Sequence, residues 1–357
     1  MLIKELYNKK LISPPSWLID NTHYLTVMGS VAYGVSEDSS DYDLYGFCIP
    51  PKNIVFPCQY AGEIIGFGRQ IKRFEQWEQV HVMDSDALGG KGREYDFSVY
   101  NIVKYFQLLM ENNPNILDSI FTSHDCILHS TQIANHLREN RKLFLHKGSW
   151  FKFKGYAYSM KTKIMTKKHK GLDELKQFEK DHGISHNMKW DCVVEALNMR
   201  SLNAVTEPLS MLSDEDLKVY GDLFRIMHEA APNRSEKVKS QEYDYKFSYH
   251  LVRLLNEIEQ ILIEGDLDLR RNREQLKSIR RGEWTLNEIG EYFDKKEKEL
   301  ETLYTNSTLR HSPDEHAIKK LLLECLELHY GSLEKAVVIE GQEIEILRRI
   351  KEMVERY

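Results

Sequence analysis

Residues 28–43 read Met-Gly-Ser-Val-Ala-Tyr-Gly-Val-Ser-Glu-Asp-Ser-Ser-Asp-Tyr-Asp. Gly29 and Ser30 leave an apolar run, and after ten intervening residues come Asp41 and Asp43. Both halves suit phosphate chemistry. The Gly-Ser turn offers backbone N–H groups and a hydroxyl to a polyphosphate. Two carboxylates at i and i+2 on a strand point the same way and can share divalent metals. Such chemistry uses two ions roughly 4 Å apart, and a third acid from an adjacent strand completes the set. Asp96, between Tyr95 and Phe97 in a strand-like run, is the candidate. Asp84 and Asp86 form a rival pair beside the glycine-rich stretch at 88–92. Taken alone, an Asp-x-Asp also fits a turn residue followed by a solvated strand acid.

These residues need a sheet to hold them. Residues 24–28 read as a short apolar strand and 42–49 as a second, stopped by Pro50-Pro51. Strands are also expected at 79–83 and 95–97. Ser98 suits the N-cap of a helix through Ile102, Tyr105, Phe106 and Leu109, and Asn113-Pro114-Asn115 launches another. From about residue 146 the chain reads helical. The clearest stripe is Phe247, Leu251, Leu254, Ile258 and Ile261 within 243–264, and further helices are expected at 286–304, 313–330 and from 332 onward.

Composition bounds the class. The chain has 357 residues, 41% apolar and 29% charged, with net charge −6, which fits two packed units rather than a uniformly basic protein. Five scattered cysteines without a Cys-x-x-Cys point to a reducing compartment and no structural zinc. The first residues lack the apolar run of a signal peptide, and no stretch has the length of a membrane-spanning helix, so a cytoplasmic protein is expected.

Charge is unevenly spread. Residues 138–170 hold eleven Lys or Arg and one acid, Glu139, interleaved with Trp150, Phe151, Phe153, Tyr156 and Tyr158. This suits either single-stranded RNA or a solvated basic face over an aromatic core. A second basic cluster is Arg270, Arg271, Arg273, Lys277, Arg280 and Arg281. On the long helix, Lys246, His250 and Arg253 fall within about 60° of one another. They make a polar wall at the edge of the apolar stripe, or a structural histidine with flanking bases. His182 and His186 lie one turn apart without a third ligand and read as surface histidines.

The Gly-Ser and Asp-x-Asp combination resembles the nucleotidyltransferase superfamily of the polymerase β type. Further pieces are Asp96-Phe97, Asn113-Pro114-Asn115, Arg141-x-x-Phe144-Leu145, Phe153-x-Gly155-Tyr156-Ala157, Tyr245-Lys246-x-x-x-His250-Leu251-x-Arg253-Leu254-Leu255 and Asn306-Ser307-x-Leu309 through Pro313-Asp314. They resemble the RNA repair pathway DNA polymerase β family, found in bacteria and phages. Arg310 departs from it, standing where a proline follows the leucine.

The resemblance implies an α+β fold: a catalytic core with a small mixed sheet over 1–147, then a mainly helical domain over 148–357 that closes the nucleotide cleft and binds RNA. It implies metal-dependent, template-independent transfer of an NMP from an NTP to a hydroxyl, an RNA 3′ end as in tRNA repair or tailing. Asp41, Asp43 and Asp96 would hold two Mg²⁺ or Mn²⁺ ions. Gly29, Ser30, Ser159, Lys163, Lys246, His250 and Arg253 would contact the nucleotide. Two alternatives stay open: a protein hydroxyl as acceptor, and a non-catalytic RNA-binding module. The sequence sets no oligomeric state.

Overall fold

A computed structural model of the chain describes residues 1–36, 41–55, 74–166, 172–185, 188, 190–199, 209–230, 243–332, 350–351 and 353–355. By internal packing it divides into two units. One comprises Met1–Phe153, Asn256–Arg273 and Leu300–Tyr357, the other Lys154–Leu255 and Glu274–Glu299.

The first unit is built on five strands: β1 (Thr22–Val27), β2 (Tyr42–Cys48), β3 (Gln76–Asp84), β4 (Arg93–Asn101) and β5 (Ile127–Ser130). Their order is β3-β4-β2-β1-β5. β2 and β4 run parallel and the other pairs antiparallel, so the sheet is mixed. One face is apolar. Leu25 and Val27 of β1, Leu44 of β2, and Phe97 and Val99 of β4 pack with Ile3, Leu6, Leu18 and Ile19 from the helices Leu2–Asn8 and Ser16–Asn21. From Glu94 to Asn101 the burial of β4 alternates, as a period-2 strand with one face on a core requires.

The opposite face is divided. Its lower end carries buried Tyr24 and Phe47, covered by the helix Ile102–Met110, whose Tyr105 ring lies 5.2 Å from that of Phe47. Its upper end carries the acids. Arg138 supports the buried end, donating to the Tyr24 hydroxyl at 2.6 Å and the Thr122 carbonyl at 2.8 Å.

The sequence places the first helix after β4 too early. Ser98 is a strand residue paired with both Tyr45 and Glu78, and the following Val99 is fully buried on the core face. The chain turns only at Asn101, whose side chain accepts from the Val103 N–H at 2.9 Å and caps the helix. The strand expected at 79–83 extends over Gln76–Asp84. Asn113 caps Pro114–Phe121 through the Ile116 N–H.

In the second unit, Leu175, Val193, Leu217, Tyr220 and Phe224 form a core between the helices Leu172–Asp181, Trp190–Met199 and Asp214–Ala230. Of the other long helices, Glu315–Tyr330 belongs to the first unit, and Ser149–Thr166, Tyr245–Glu264 and Leu286–Asn306 each have residues in both. Leu251, Leu254, Ile258 and Ile261 of the long stripe are buried. Residues 333–349, in the helix expected from 332 onward, lie outside the described residues. Among the described residues no helix is long and apolar enough to cross a membrane.

Candidate nucleotidyl-transfer site

The carboxylate at 43 is placed by strand register. Asp43 pairs directly with Asp96 across the parallel β2–β4 ladder. Partners in register share a face, so both side chains leave the sheet on its open upper end. Asp41, two residues before Asp43, precedes the strand and is exposed. Glu94, two residues before Asp96, has the same facing within β4. Three acids proposed from the sequence, and one that was not, thus border one stretch of sheet.

The Gly-Ser turn lies against this stretch. β1 ends at Val27, and the Met28 N–H donates to the Asp43 carbonyl at 2.7 Å. Gly29 then opens a one-turn helix, Gly29–Ala32, with φ +63°. A Cβ added at Gly29 would stand 2.0 Å from Asp43 Oδ2, so the missing side chain is what lets the carboxylate and the turn approach. Ser30 follows, half-buried, and its carbonyl accepts from the Val35 N–H at 2.9 Å.

Two anchors hold the turn, and sequence reasoning found neither. The Tyr33 hydroxyl donates to the buried Asp118 at 2.9 Å. Arg270 donates to the carbonyls of Ala32 at 3.3 Å and Val31 at 3.4 Å and is itself bridged to Asp125 at 2.8 Å. Arg270 was legible only as one of a basic cluster, since its contact spans more than two hundred residues of chain.

His81 is the second omission. A β-bulge lies between Gln79 and Val82, and His81 within it has φ +56°. Its backbone N–H donates to Asp96 Oδ1 at 2.6 Å, and its ring Nδ1 lies 2.5 Å from Glu94 Oε1. Glu94, then Asp96 and last Asp41, raise the imidazole pKa above its ordinary value. Tyr45, next on the same face below Asp43, is held neutral: burial foremost, then Tyr100 and Asp43, push its phenol well above the usual range.

The rival acid at 84 faces elsewhere. Asp84 pairs in register with Arg93 on the opposite facing from Asp96, is buried, and binds Lys9 Nζ at 2.8 Å. It is a structural anchor for the N-terminal helix, and it accepts the Asp86 N–H at 3.3 Å.

The remaining nucleotide candidates belong to the second unit. Ser159 is exposed on Ser149–Thr166, and the side chain of Lys163 lies outside the described residues. On Tyr245–Glu264, Lys246 is exposed, His250 half-buried and Arg253 buried. His182 stacks on Phe178 at 4.0 Å and bonds its carbonyl; His186 lies outside the described residues.

The basic run at 138–170 is largely committed within the chain. Besides Arg138, Arg141 bonds the Arg138 carbonyl at 2.8 Å and Lys142 pairs with Asp266 at 2.6 Å. Lys147 lies over the Tyr304 ring, and Lys152 pairs with Glu111. Lys154 pairs with Glu297 and Lys161 with Asp294, each at 2.7 Å. Lys167, Lys168 and Lys170 lie outside the described residues. Arg138, Arg141 and Arg270, with His124, also line a pocket of about 610 Å³.

No curated protein and no solved structure matches the chain. Residues 17–178 match the model of a family described as RNA repair pathway DNA polymerase beta family. The matched stretch contains the Gly-Ser turn, the sheet with its three acids and the start of the helical region. Over residues 17–178, the chain is similar to the RNA repair pathway DNA polymerase beta family.

Proposed function

We propose that the chain is a metal-dependent, template-independent nucleotidyltransferase that moves an NMP from an NTP to an RNA 3′ hydroxyl and releases pyrophosphate. The observation that carries this is Asp43 set opposite Asp96 on parallel strands, with Gly29 close enough that its absent Cβ would collide with the Asp43 carboxylate. Polymerase-β-type nucleotidyltransferases generally use divalent metals, and oxygen donors from clustered carboxylates suit Mg²⁺ or Mn²⁺. Asp41, Asp43 and Asp96 would hold two ions, which when bound supply charge neutralisation at the phosphates and a more acidic attacking hydroxyl.

The protein's own contribution is positioning. Gly29 and Ser30 present backbone N–H groups and a hydroxyl to the β- and γ-phosphates. Arg270 and Tyr33 keep that turn against β2. The RNA hydroxyl attacks the α-phosphorus in line, its proton leaves to solvent, and the bond to the pyrophosphate oxygen breaks. The arginine-lined pocket beside Ala32 suits a phosphate of the acceptor. Assignment of Ser159, Lys163, Lys246, His250 and Arg253 to the nucleotide is part of this proposal.

The test is incubation with each α-labelled NTP, Mg²⁺ or Mn²⁺, and total RNA, with the labelled species sized. Label in RNA, abolished by Asp41→Asn with Asp43→Asn, is the expected result. Undiminished transfer by the double variant refutes the assignment, and label in protein instead of RNA replaces the acceptor with a protein hydroxyl.

A further inference from the structure

We propose that His81, Glu94 and Asp96 form an additional site for a borderline transition ion of the Zn²⁺ type, adjoining the proposed catalytic acids through the shared Asp96, on the β3 side of the acid face. The ring nitrogen of His81 and the carboxylate oxygens of Glu94 and Asp96 all lie within 4.8 Å of one another. A nitrogen and two carboxylate oxygens are a donor set that Zn²⁺ accepts at about 2.0–2.2 Å, with water completing the shell.

The local backbone is arranged for this. Ordinary strand geometry would alternate residues 80, 81 and 82 across the sheet. The bulge and the left-handed φ of +56° at His81 instead bring its N–H and its ring to the acids of β4. The N–H takes Asp96 Oδ1 at 2.6 Å, and Oδ2 makes no hydrogen bond among the described residues. His81 Nδ1 and Glu94 Oε1 already approach to 2.5 Å, and a metal ion bound between them would take the place of any proton there. The exposed imidazole, 71% accessible, leaves the site open to an ion from solvent. Its nitrogen donor separates it from the all-oxygen pair Asp41 and Asp43, which favours harder Mg²⁺. The inference rests on the nucleotidyl-transfer reading only through Asp96, common to both.

The test is calorimetric titration of the purified full chain with Zn²⁺, and visible absorption with Co²⁺ as a spectroscopic substitute. The variants are His81→Asn, which tolerates a left-handed backbone but lacks the imidazole, Glu94→Gln, and the Asp41→Asn, Asp43→Asn pair. The expected result is one tight ion per chain, its affinity lowered at least tenfold by His81→Asn and by Glu94→Gln. The double variant keeps the affinity and the Co²⁺ bands. Wild-type affinity in both His81→Asn and Glu94→Gln overturns the site, as does loss confined to the double variant. Label transfer does not enter this titration, so failure of the metal site and failure of the nucleotidyl-transfer reading are seen separately.

Discussion

Gly29→Ala separates the energetics of the fold from those of the proposed chemistry. Two costs follow from the structure. The first is backbone strain: φ is +63°, and a left-handed residue with a Cβ costs about 1–2 kcal/mol. The second is a collision. The new Cβ would sit 2.0 Å from Asp43 Oδ2, so the carboxylate must retreat by about 1.4 Å to reach ordinary contact at 3.4 Å. A carboxylate at the end of a short side chain can rotate away at little cost to stability. Its displacement matters to catalysis, where misplacement by about 1 Å costs on the order of a hundredfold. Gly34→Ala is the control. It has a similar φ, +68°, but its Cβ would meet only the Arg270 and Arg273 side chains at an ordinary 3.6 Å. The two variants should therefore melt at similar temperatures, both a few degrees below the parent. Label transfer by Gly29→Ala should fall about a hundredfold below that by Gly34→Ala. Thermal denaturation and single-turnover transfer from α-labelled NTP measure the two effects. Transfer by Gly29→Ala within about threefold of Gly34→Ala would refute the role given to the close approach.

Further outcomes follow from the anchors. Arg270→Ala frees the carbonyls of Val31 and Ala32 and should lower transfer roughly tenfold, about 1.4 kcal/mol, without loss of fold by circular dichroism; unchanged transfer would remove Arg270 from the positioning role. Asp84→Asn should lower the melting temperature by weakening the buried contact to Lys9 yet leave transfer intact, and abolished transfer in a folded variant would return the rival acid to the site. Acid should also destabilise the first unit. Burial foremost, with His329 and His129 adding, lowers the His23 pKa to about 4 from an ordinary 6.5, so between these values the unfolded chain binds more protons than the folded one. The stability is complete above pH 6.5 and is lost as pH falls towards 4, by up to about 3 kcal/mol. Urea midpoints at pH 7 and 4.5 should differ less in His23→Gln than in the parent; an identical difference would exclude His23 as the source.

What could be read from the sequence was local. β1, β2 and the acid pair are contiguous patterns, and the apolar stripe at 247–261 is a single helix face. The N-cap at Ser98 failed because hydroxyl propensity was weighed without the sheet partners that extend β4 through Asn101. The basic run failed as a count of free charges for the same reason. The partners of Lys142, Lys154 and Lys161 are acids more than a hundred residues further along the chain, and no run of neighbours shows them. His81 was illegible because its importance depends on a bulge, which breaks the alternation by which a strand is recognised.

The pairing of Asp43 with Asp96 shows why the acids were more legible than their geometry. Each acid sits in its own short alternating strand, so each facing is locally determined. Whether they meet depends on β2 and β4 being parallel neighbours in a register that aligns these two positions. A slip of one residue would set Asp96 opposite Tyr42 or Leu44 and turn it to the other facing from Asp43, because side-chain direction has period 2. The register is instead fixed by the opposite face: Leu44, Phe97 and Val99 must all enter the core with the N-terminal helices. The apolar side of the sheet thus sets the alignment of the acids on the polar side, and core substitutions at Phe97 or Leu44 should disturb transfer without touching a single acid.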